Sequence, residues 1–204
     1  MKTIVMATAA LITMSFSMMA PAGLKPGDAA TDFKLMNIDS SMIGLSSYKQ
    51  ASKGAIVIFT CNHCPFSIAY EDRIIALHEK YAVKGYPVIA INPNDAVQYP
   101  SDGFSEMQVR AKEKGFKFPY LHDETQAVAK AWGAERTPHV FVVKKEKKKW
   151  MVKFVGAIDN NTDDAAAADK KYTEMAVDAL LAGKEPEIKS VKAIGCGVKW
   201  KKAK

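Results

Sequence analysis

Residues 55–66 of this 204-residue chain read AIVIFTCNHCPF, an apolar run followed by two cysteines three positions apart. Continuous apolar runs of this length are typical of strands that are buried on both faces of a sheet. From Phe66 to Tyr81, apolar side chains recur at steps of four and three, which is the pattern of one helix face. The stretch therefore predicts a buried strand, a turn, and an amphipathic helix with Cys61 at its N-cap and Cys64 one turn further on.

The position of the two cysteines predicts dithiol redox chemistry. Unpaired N–H groups and the dipole at a helix N-terminus stabilise negative charge, so we expect Cys61 to be the nucleophilic thiolate. Cys64 would then resolve the mixed disulfide that Cys61 forms with a substrate. A positive charge on His63 would stabilise the thiolate further, and Asn62 and His63 together would tune the reduction potential. The disulfide is itself the redox group, so no other cofactor is expected.

Metal and haem sites fit this cysteine pair less well. A zinc site needs a second pair of ligands, and apart from Cys196 the chain offers only isolated histidines. Haem attachment requires a histidine directly after the second cysteine, where this chain has Pro65. A copper-binding chaperone stays open as an alternative, because His139 together with both thiols would suit Cu(I). The favoured prediction is a redox site with no metal.

The composition excludes several classes of protein. Of the residues, 48% are hydrophobic and 25% are charged, which is ordinary for a globular domain and unlike disordered or fibrous chains. Three cysteines are too few for a disulfide-stabilised scaffold. The formal net charge is +7, but the lysines are scattered or lie in the short runs 144–149 and 199–204. Because no basic stripe is interleaved with aromatic residues, we expect no nucleic-acid partner.

Residues 1–22 have the pattern of a secretory signal peptide, with a positive start at Lys2, an apolar stretch over 4–20, and small residues after it. The apolar stretch is short and rich in Ala, Ser and Thr, so an uncleaved membrane anchor is the less favoured alternative. We expect the mature protein, residues 23–204, to be a secreted or periplasmic protein that does not span the membrane. Disulfides persist in such compartments.

The rest of the pattern predicts one α/β domain followed by a C-terminal tail, residues 187–204, that shows no clear period. Strands are predicted in a hairpin over 33–48, at 55–59 and 87–91, and in a second hairpin over 139–155. Helices are predicted at 66–81, 104–115, 123–132 and 163–182. Asp163 or Asp164 is the expected cap of the last helix. Strands that alternate with helices are typical of an α/β sheet.

A second motif, Thr137-Pro138, comes directly before the strand that begins at His139. Proline at the start of a buried strand is suited to a cis peptide bond. A CxxC motif at a strand-to-helix junction, followed by Thr-Pro before a later strand, resembles the thioredoxin fold. The resemblance implies a three-layer sandwich with a central mixed sheet. In that fold Thr137 and Pro138 would form a cis-proline loop that packs over the dithiol and offers backbone to a substrate peptide.

More specifically, the chain is similar to the redoxin group, the peroxiredoxin-like and AhpC/TSA-related branch that includes exported thiol-disulfide reductases. The hairpin over 33–48 resembles the N-terminal β-hairpin extension of that group. The segments CNHCP, AINPND, YPSDGF, FPYLHDETQ and IGCGVKWK carry the resemblance, which covers about residues 26–202. It implies a thiol-disulfide oxidoreductase that acts on protein disulfides or dithiols and is recycled by a redox partner protein.

Departures from the family pattern bear on the activity. Peroxiredoxins carry Pro-x-x-x-Thr-x-x-Cys, and neither Cys61 nor Cys64 has the required threonine, so an antioxidant thiol peroxidase is only the alternative. Thioredoxin carries a buried Asp six residues before its first cysteine, where this chain has Ala55. Proton handling would then fall to His63 or to water. Cys196 is a candidate third redox thiol, with an unpaired thiol in the tail as the equal alternative.

Overall fold

The central feature of the computed structural model, which describes residues 23–202, is a mixed sheet of seven strands. The elements in chain order are β1 (Lys34–Asn37), β2 (Met42–Gly44), β3 (Gly54–Phe59), α1 (Pro65–Tyr81), β4 (Val88–Asn92), α2 (Phe104–Lys114), β5 (Tyr120–His122), α3 (Ala127–Trp132), β6 (Arg136–Thr137), β7 (His139–Glu146), β8 (Lys149–Gly156), α4 (Tyr172–Leu181) and β9 (Cys196–Gly197). The strand order is β2-β1-β5-β4-β3-β7-β8, and β6 pairs with β9 in a separate small sheet. The predicted signal peptide, residues 1–22, lies outside the described residues.

The sheet combines parallel and antiparallel pairs. β3, β4 and β5 run parallel, whereas β1 and β2, β1 and β5, β3 and β7, and β7 and β8 pair antiparallel. The predicted central mixed sheet and the N-terminal hairpin of β1 and β2 are therefore confirmed. Among residues 23–202, no helix is both long enough and apolar enough to cross a membrane.

Strand β3 shows why the sheet needs a layer of helices on each face. Ile56 and Ile58 point into a core that α1, α2 and α4 close, while Val57 and Phe59 point into a second core that contains Trp132 of α3. All four β3 side chains are fully buried. Because successive side chains of a strand alternate between faces, an uninterrupted apolar run is required where both faces are covered. The predicted three-layer arrangement is confirmed.

The helix boundaries agree with the sequence in part. α2 ends as predicted, before Gly115, whose φ of 67° suits glycine. Phe66 is 38% exposed and does not belong to the buried face of α1, which includes Tyr70. α3 begins at Ala127 rather than at residue 123, because Asp123 turns its carboxylate toward the N–H of Ala129 over 2.8 Å.

The start of α4 was wrongly predicted. The helix begins at Tyr172 and not at Asp163 or Asp164, although it ends close to Ala182 as expected. The N–H groups of both aspartates donate to Asn161 Oδ1, over 3.1 and 3.0 Å. Such local side-chain to backbone bonds stabilise turns in competition with a helix.

The C-terminal tail crosses back over the carboxyl ends of the parallel strands. Before β9, the N–H of Val191 donates to the carbonyl of Val155 over 3.1 Å. After β9, Lys199 accepts from the N–H of Asp95 over 2.9 Å and donates its own N–H to Asn94 Oδ1 over 2.9 Å. The tail is therefore bound to the domain on both sides of Cys196.

Candidate active site

The two cysteines of the motif lie in the loop between β3 and α1, where the carboxyl ends of two parallel strands meet. The helix begins at Pro65, and Cys64 is its N-cap. Proline is favoured at the first helical position because it lacks an N–H group that would otherwise be unpaired there. The prediction that Cys61 is the N-cap is therefore wrong, and Cys64 lies at the positive end of the helix.

Both sulfurs contact Thr137 of the predicted cis-proline loop. The Cys61 thiol donates to Thr137 Oγ1 over 3.2 Å and also approaches Ser67 Oγ at 3.7 Å. The Cys64 thiol donates to the Thr137 carbonyl oxygen over 3.2 Å. The peptide bond between Thr137 and Pro138 is cis, as the sequence predicted. With 3% of Cys61 and 0% of Cys64 exposed, the loop and its neighbours cover the pair almost completely.

The pKa values of the two cysteines are shifted in opposite directions. A hydrogen bond from Cys61 lowers the pKa of Cys64 to about 4 against the effect of burial, and contacts from Cys196 and the Ser67 N–H lower it further. The same bond to Cys64, together with burial and the Asp102 carboxylate, raises the pKa of Cys61. These directions favour charge on Cys64 at the helix terminus and oppose it on Cys61 beside the carboxylate, whereas the thiolate at Cys61 stays a prediction from the sequence.

Asp102, which was not predicted from the sequence, is the buried acid of the site. Its Oδ1 accepts from the backbone N–H of Asn62 over 2.7 Å, and its Oδ2 accepts from Asn94 Nδ2 over 2.8 Å. His63 Nδ1 lies 2.5 Å from the same Oδ2, and the imidazole stacks on Tyr99 with the ring centroids 4.7 Å apart. The carboxylate and the aromatic ring thus fix the orientation of His63.

Asp102 supplies an acid that the strand lacks. Ala55, at the position of the buried Asp of thioredoxin, is fully buried in β3. The carboxylate comes instead from the loop that follows β4, the parallel neighbour of β3. The signal in the sequence was that CNHCP and YPSDGF both lie beyond the carboxyl ends of predicted buried strands, which meet at one edge of a parallel sheet.

Asn62, the other predicted tuning residue, connects the cysteine loop to its surroundings. Its Nδ2 donates to the carbonyl of Ser101 over 2.8 Å, and its Oδ1 accepts from the hydroxyl of Tyr120 over 2.8 Å. The side chain therefore holds the loop in place on the side that faces Asp102.

Cys196 is brought to the dithiol by the tail. β9 pairs antiparallel with β6, and Cys196 lies opposite Thr137. Burial and the hydrogen bond with Cys64 raise the pKa of Cys196 to about 11. The backbone of Thr137, which the resemblance assigned to a substrate strand, is thus already paired with the chain's own tail.

Three potential metal ligands meet in the site, but they are not the ones predicted for copper. The ligand atoms of Cys61, His63 and Asp102 lie within 4.8 Å of one another, the one such group in residues 23–202. His139 does not belong to this group. Its Nδ1 accepts from the N–H of Glu135 over 3.3 Å, and burial lowers its pKa to about 4. The described residues thus do not assemble the predicted set of Cys61, Cys64 and His139.

Comparisons with solved structures find the same fold in other proteins. The chain is similar to a hypothetical protein from Sinorhizobium meliloti 1021, with 31% identity and a TM-score of 0.81 over 89% of this chain and 98% of that chain. It is also similar to an uncharacterized conserved protein from Geobacillus kaustophilus, with 33% identity and a TM-score of 0.79 over 92% and 96% of the two chains. Peroxidoxin BcpB from Mycobacterium tuberculosis, at 20% identity and a TM-score of 0.55 over 69% and 90% of the chains, shares the fold.

No curated protein matches the chain. The AhpC/TSA family matches residues 26–149. That range contains the N-terminal hairpin, the cysteine loop, Asp102 and the cis-proline loop, and it confirms the resemblance to redoxins. Since it also spans more than half of the sequence, the chain belongs to the AhpC/TSA family.

Proposed function

We propose that the protein is a thiol-disulfide oxidoreductase in which Cys61 and Cys64 interconvert between a dithiol and a disulfide. The observation that carries the proposal is the contact of both sulfurs with Thr137, each over 3.2 Å. The two thiols also interact with each other strongly enough to shift each other's pKa in opposite directions. Both sulfurs therefore lie against the same residue, where a disulfide between them would form. No cofactor other than this disulfide is required.

The reduced pair would act in two steps. The Cys64 thiolate attacks a sulfur of an incoming disulfide, one thiol of that disulfide leaves, and a mixed disulfide forms on Cys64. Cys61 then attacks the Cys64 sulfur, which closes the Cys61–Cys64 disulfide and releases the second thiol. The proton of Cys61 passes to the His63–Asp102 pair, whose ligand atoms lie within 4.8 Å of the Cys61 sulfur. Each step is reversible, so the direction follows from the relative reduction potentials.

The charge on Cys64 favours the oxidising direction. A stabilised thiolate lowers the free energy of the reduced form, which makes the disulfide form a stronger oxidant. We therefore propose that the pair oxidises dithiols of protein substrates and that a second protein reoxidises it. Thiol-disulfide oxidants of this kind have potentials near about −120 to −180 mV, compared with about −270 mV for thioredoxin.

The test is equilibration of purified protein with glutathione buffers of graded redox potential, followed by alkylation and peptide mapping. We expect one Cys61–Cys64 disulfide with a potential above about −200 mV. Cys61→Ser and Cys64→Ser should each abolish that disulfide. A potential near that of thioredoxin would reverse the proposed direction, and the absence of this disulfide at every potential would overturn the proposed function.

Thiol peroxidase activity is the second candidate, and membership of the AhpC/TSA family favours it. The threonine of the peroxiredoxin motif is missing, and the residue three positions before Cys61 is the buried Ile58. Catalytic consumption of hydrogen peroxide in the presence of dithiothreitol, lost in Cys64→Ser, would support this candidate. Consumption no faster than that by dithiothreitol alone would exclude it.

We also propose that the protein is exported and that residues 1–22 are removed, as the N-terminal charge and apolar pattern indicate. An oxidant of protein thiols has its substrates in an oxidising compartment. N-terminal sequencing of protein recovered from the exported fraction should give a start near Gly23. Recovery of a full-length chain from the membrane would support the uncleaved anchor instead.

A further inference from the structure

The tail holds a third sulfur against the buried pair. We propose that Cys196 is the sulfur that exchanges with partner proteins, and that the disulfide moves from Cys61–Cys64 to Cys64–Cys196 before it leaves the protein. This inference rests on the proposed function. It names the route by which a buried dithiol reaches a partner, and it assigns the contact with the partner to a residue outside the CxxC motif.

The tail is held in a fixed position beside the cis-proline loop. β9 pairs with β6 in register, so that Cys196 lies directly opposite Thr137, the residue that both other sulfurs contact. On either side of Cys196, Arg136 Nη1 donates to the carbonyl of Gly195 over 2.7 Å, and the N–H of Val198 donates to the carbonyl of Glu135 over 3.0 Å. A segment bonded this way on both sides presents its cysteine to the site in one defined register.

The three cysteines differ in their exposure to solvent. Cys61 and Cys64 are 3% and 0% exposed, whereas Cys196 is partly exposed. A cleft of about 510 Å³ runs along the tail immediately before Cys196 and is lined by Phe66, Arg136 and Gly195, among others. The cleft ends at Gly195, next to the partly exposed Cys196. Of the three sulfurs, Cys196 is therefore the one that a partner reaches first.

Cys64 is the cysteine that interacts with both of the others. Cys64 shares hydrogen bonds with both Cys61 and Cys196. In the proposed route Cys64 would form a disulfide with either neighbour, its own backbone held at the N-cap of α1. Cys64 would be common to both disulfides, and only the identity of its partner would change.

The exchange consists of three balanced steps. The Cys196 thiol attacks Cys64 of the Cys61–Cys64 disulfide, so that a Cys64–Cys196 bond forms, Cys61 leaves, and the proton of Cys196 is transferred to Cys61. A thiolate of the partner attacks Cys196, a mixed disulfide forms there, and Cys64 leaves as a thiolate. A second thiol of the partner attacks the partner's own sulfur in the mixed disulfide and releases Cys196. The partner dithiol is oxidised by two electrons and the Cys61–Cys64 pair is reduced by two.

The structure also indicates which kind of partner fits. Phe66 is 38% exposed beside the cleft, and the guanidinium of Arg136 lines the same cleft. A partner segment would be extended, with a cysteine that reaches Cys196 and an apolar side chain that packs on Phe66. Unfolded or newly exported proteins with reduced cysteines present such segments, because their side chains are accessible.

The direct test uses Cys61→Ser in the full mature chain. Treated with oxidised glutathione, this variant should form an intramolecular Cys64–Cys196 disulfide, detected as a linked pair of tryptic peptides. In the matched control, Cys64→Ser, the two remaining cysteines should yield glutathione adducts and no linked peptides. A structural role of Cys196 would not produce the disulfide. If Cys61→Ser yields only glutathione adducts on two separate cysteines, the inference is wrong.

A kinetic test separates this inference from the proposed function. Oxidised Cys196→Ser protein, which still carries the Cys61–Cys64 disulfide, should oxidise reduced unfolded ribonuclease at least tenfold more slowly than the wild-type protein. Its reduction by the small reagent dithiothreitol should change less than threefold, because that reagent needs no tail. An unchanged rate with ribonuclease refutes the role of Cys196 and leaves the proposed function intact. If the oxidised wild-type protein neither oxidises reduced ribonuclease nor is reduced by dithiothreitol, the proposed function itself is refuted.

Discussion

Gly195 decides how closely the tail packs on the cis-proline loop. A β-carbon added at this position would meet the Thr137 carbonyl oxygen and lie 2.6 Å from the Thr137 carbonyl carbon and 2.9 Å from Pro138 N, where ordinary contact begins at 3.4 Å. All three atoms belong to the backbone and cannot rotate away. Gly195→Ala should therefore force β9 away from β6. At Gly197 a β-carbon would lie 4.0 Å from the Glu135 carbonyl oxygen, so Gly197→Ala is the matched control.

The size of the effect of Gly195→Ala follows from the hydrogen bonds that the displaced strand loses. The two hydrogen bonds that flank Cys196, from Arg136 to Gly195 and from Val198 to Glu135, contribute about 1 kcal/mol each. A loss of about 2 kcal/mol corresponds to a roughly thirty-fold increase in the population of the undocked tail. The remaining bonds at Lys199 and Val191 keep the rest of the tail attached.

Hydrogen exchange of the Val198 amide, followed by mass spectrometry of a peptide over 194–200, measures this population. Exchange should accelerate roughly thirty-fold in Gly195→Ala and by less than about twofold in Gly197→Ala. Equal exchange in the two variants would refute the packing argument. Alkylation of Cys196 provides a second readout, because release from Cys64 removes one cause of its raised pKa and should speed the reaction in Gly195→Ala alone.

Three further predictions concern the charge, the pH response and the core. When the reduced protein is titrated, its thiolate absorbance should show a step near pH 4. This step should disappear in Cys64→Ser and move to higher pH in Cys61→Ala, because the hydrogen bond from Cys61 is lost. A step that survives in Cys64→Ser would show that another group carries the charge. Burial, together with the charge of Arg136, lowers the pKa of His139 from 6.5 to about 4. As the pH falls, the unfolded chain therefore binds a proton at His139 before the folded protein does. The free energy of unfolding should then fall by about 3 kcal/mol as the pH falls from 6.5 to 4, and urea titrations of His139→Asn should lack this part of the slope. Trp132 is fully buried among three aromatic rings, so Trp132→Ala should lower the free energy of unfolding in urea by about 3 to 5 kcal/mol. Trp200 is 40% exposed, and Trp200→Ala should lower it by less than about 1 kcal/mol.

The features that could be predicted from the sequence are those with a local physical cause. An apolar run that must be buried on both faces predicted β3, and the Thr-Pro pair before a strand predicted the cis-proline loop. The start of α1 was also local, but the preference of Pro65 for the first helical position outweighs the apolar periodicity used to place it. Asp163 and Asp164 could each cap a helix, but the hydrogen bonds from their N–H groups to Asn161 stabilise a turn at this position instead.

The features that could not be predicted depend on contacts between distant parts of the chain. Asp102 acts on Cys61 and His63 across a separation of some forty residues, and an aspartate that precedes a helix is ordinarily a cap. Cys196 was a candidate on its chemistry alone, because the sequence of the tail shows no periodic pattern from which its register against Thr137 could be predicted. The opposite shifts in the pKa values of Cys61 and Cys64 depend in part on these two residues, which the local motif does not contain.

The pairing of β6 with β9 has a consequence for the order in which the site is made. Cys196 is translated after all the other residues of the site, so a growing chain has the β3 strand, both motif cysteines and the cis-proline loop before it has β9. At that stage the Thr137 edge is unoccupied and Cys64 lacks one of its hydrogen-bond donors. A nascent or C-terminally clipped chain therefore differs from the finished protein, because its Thr137 strand edge is unpaired and its site holds two cysteines.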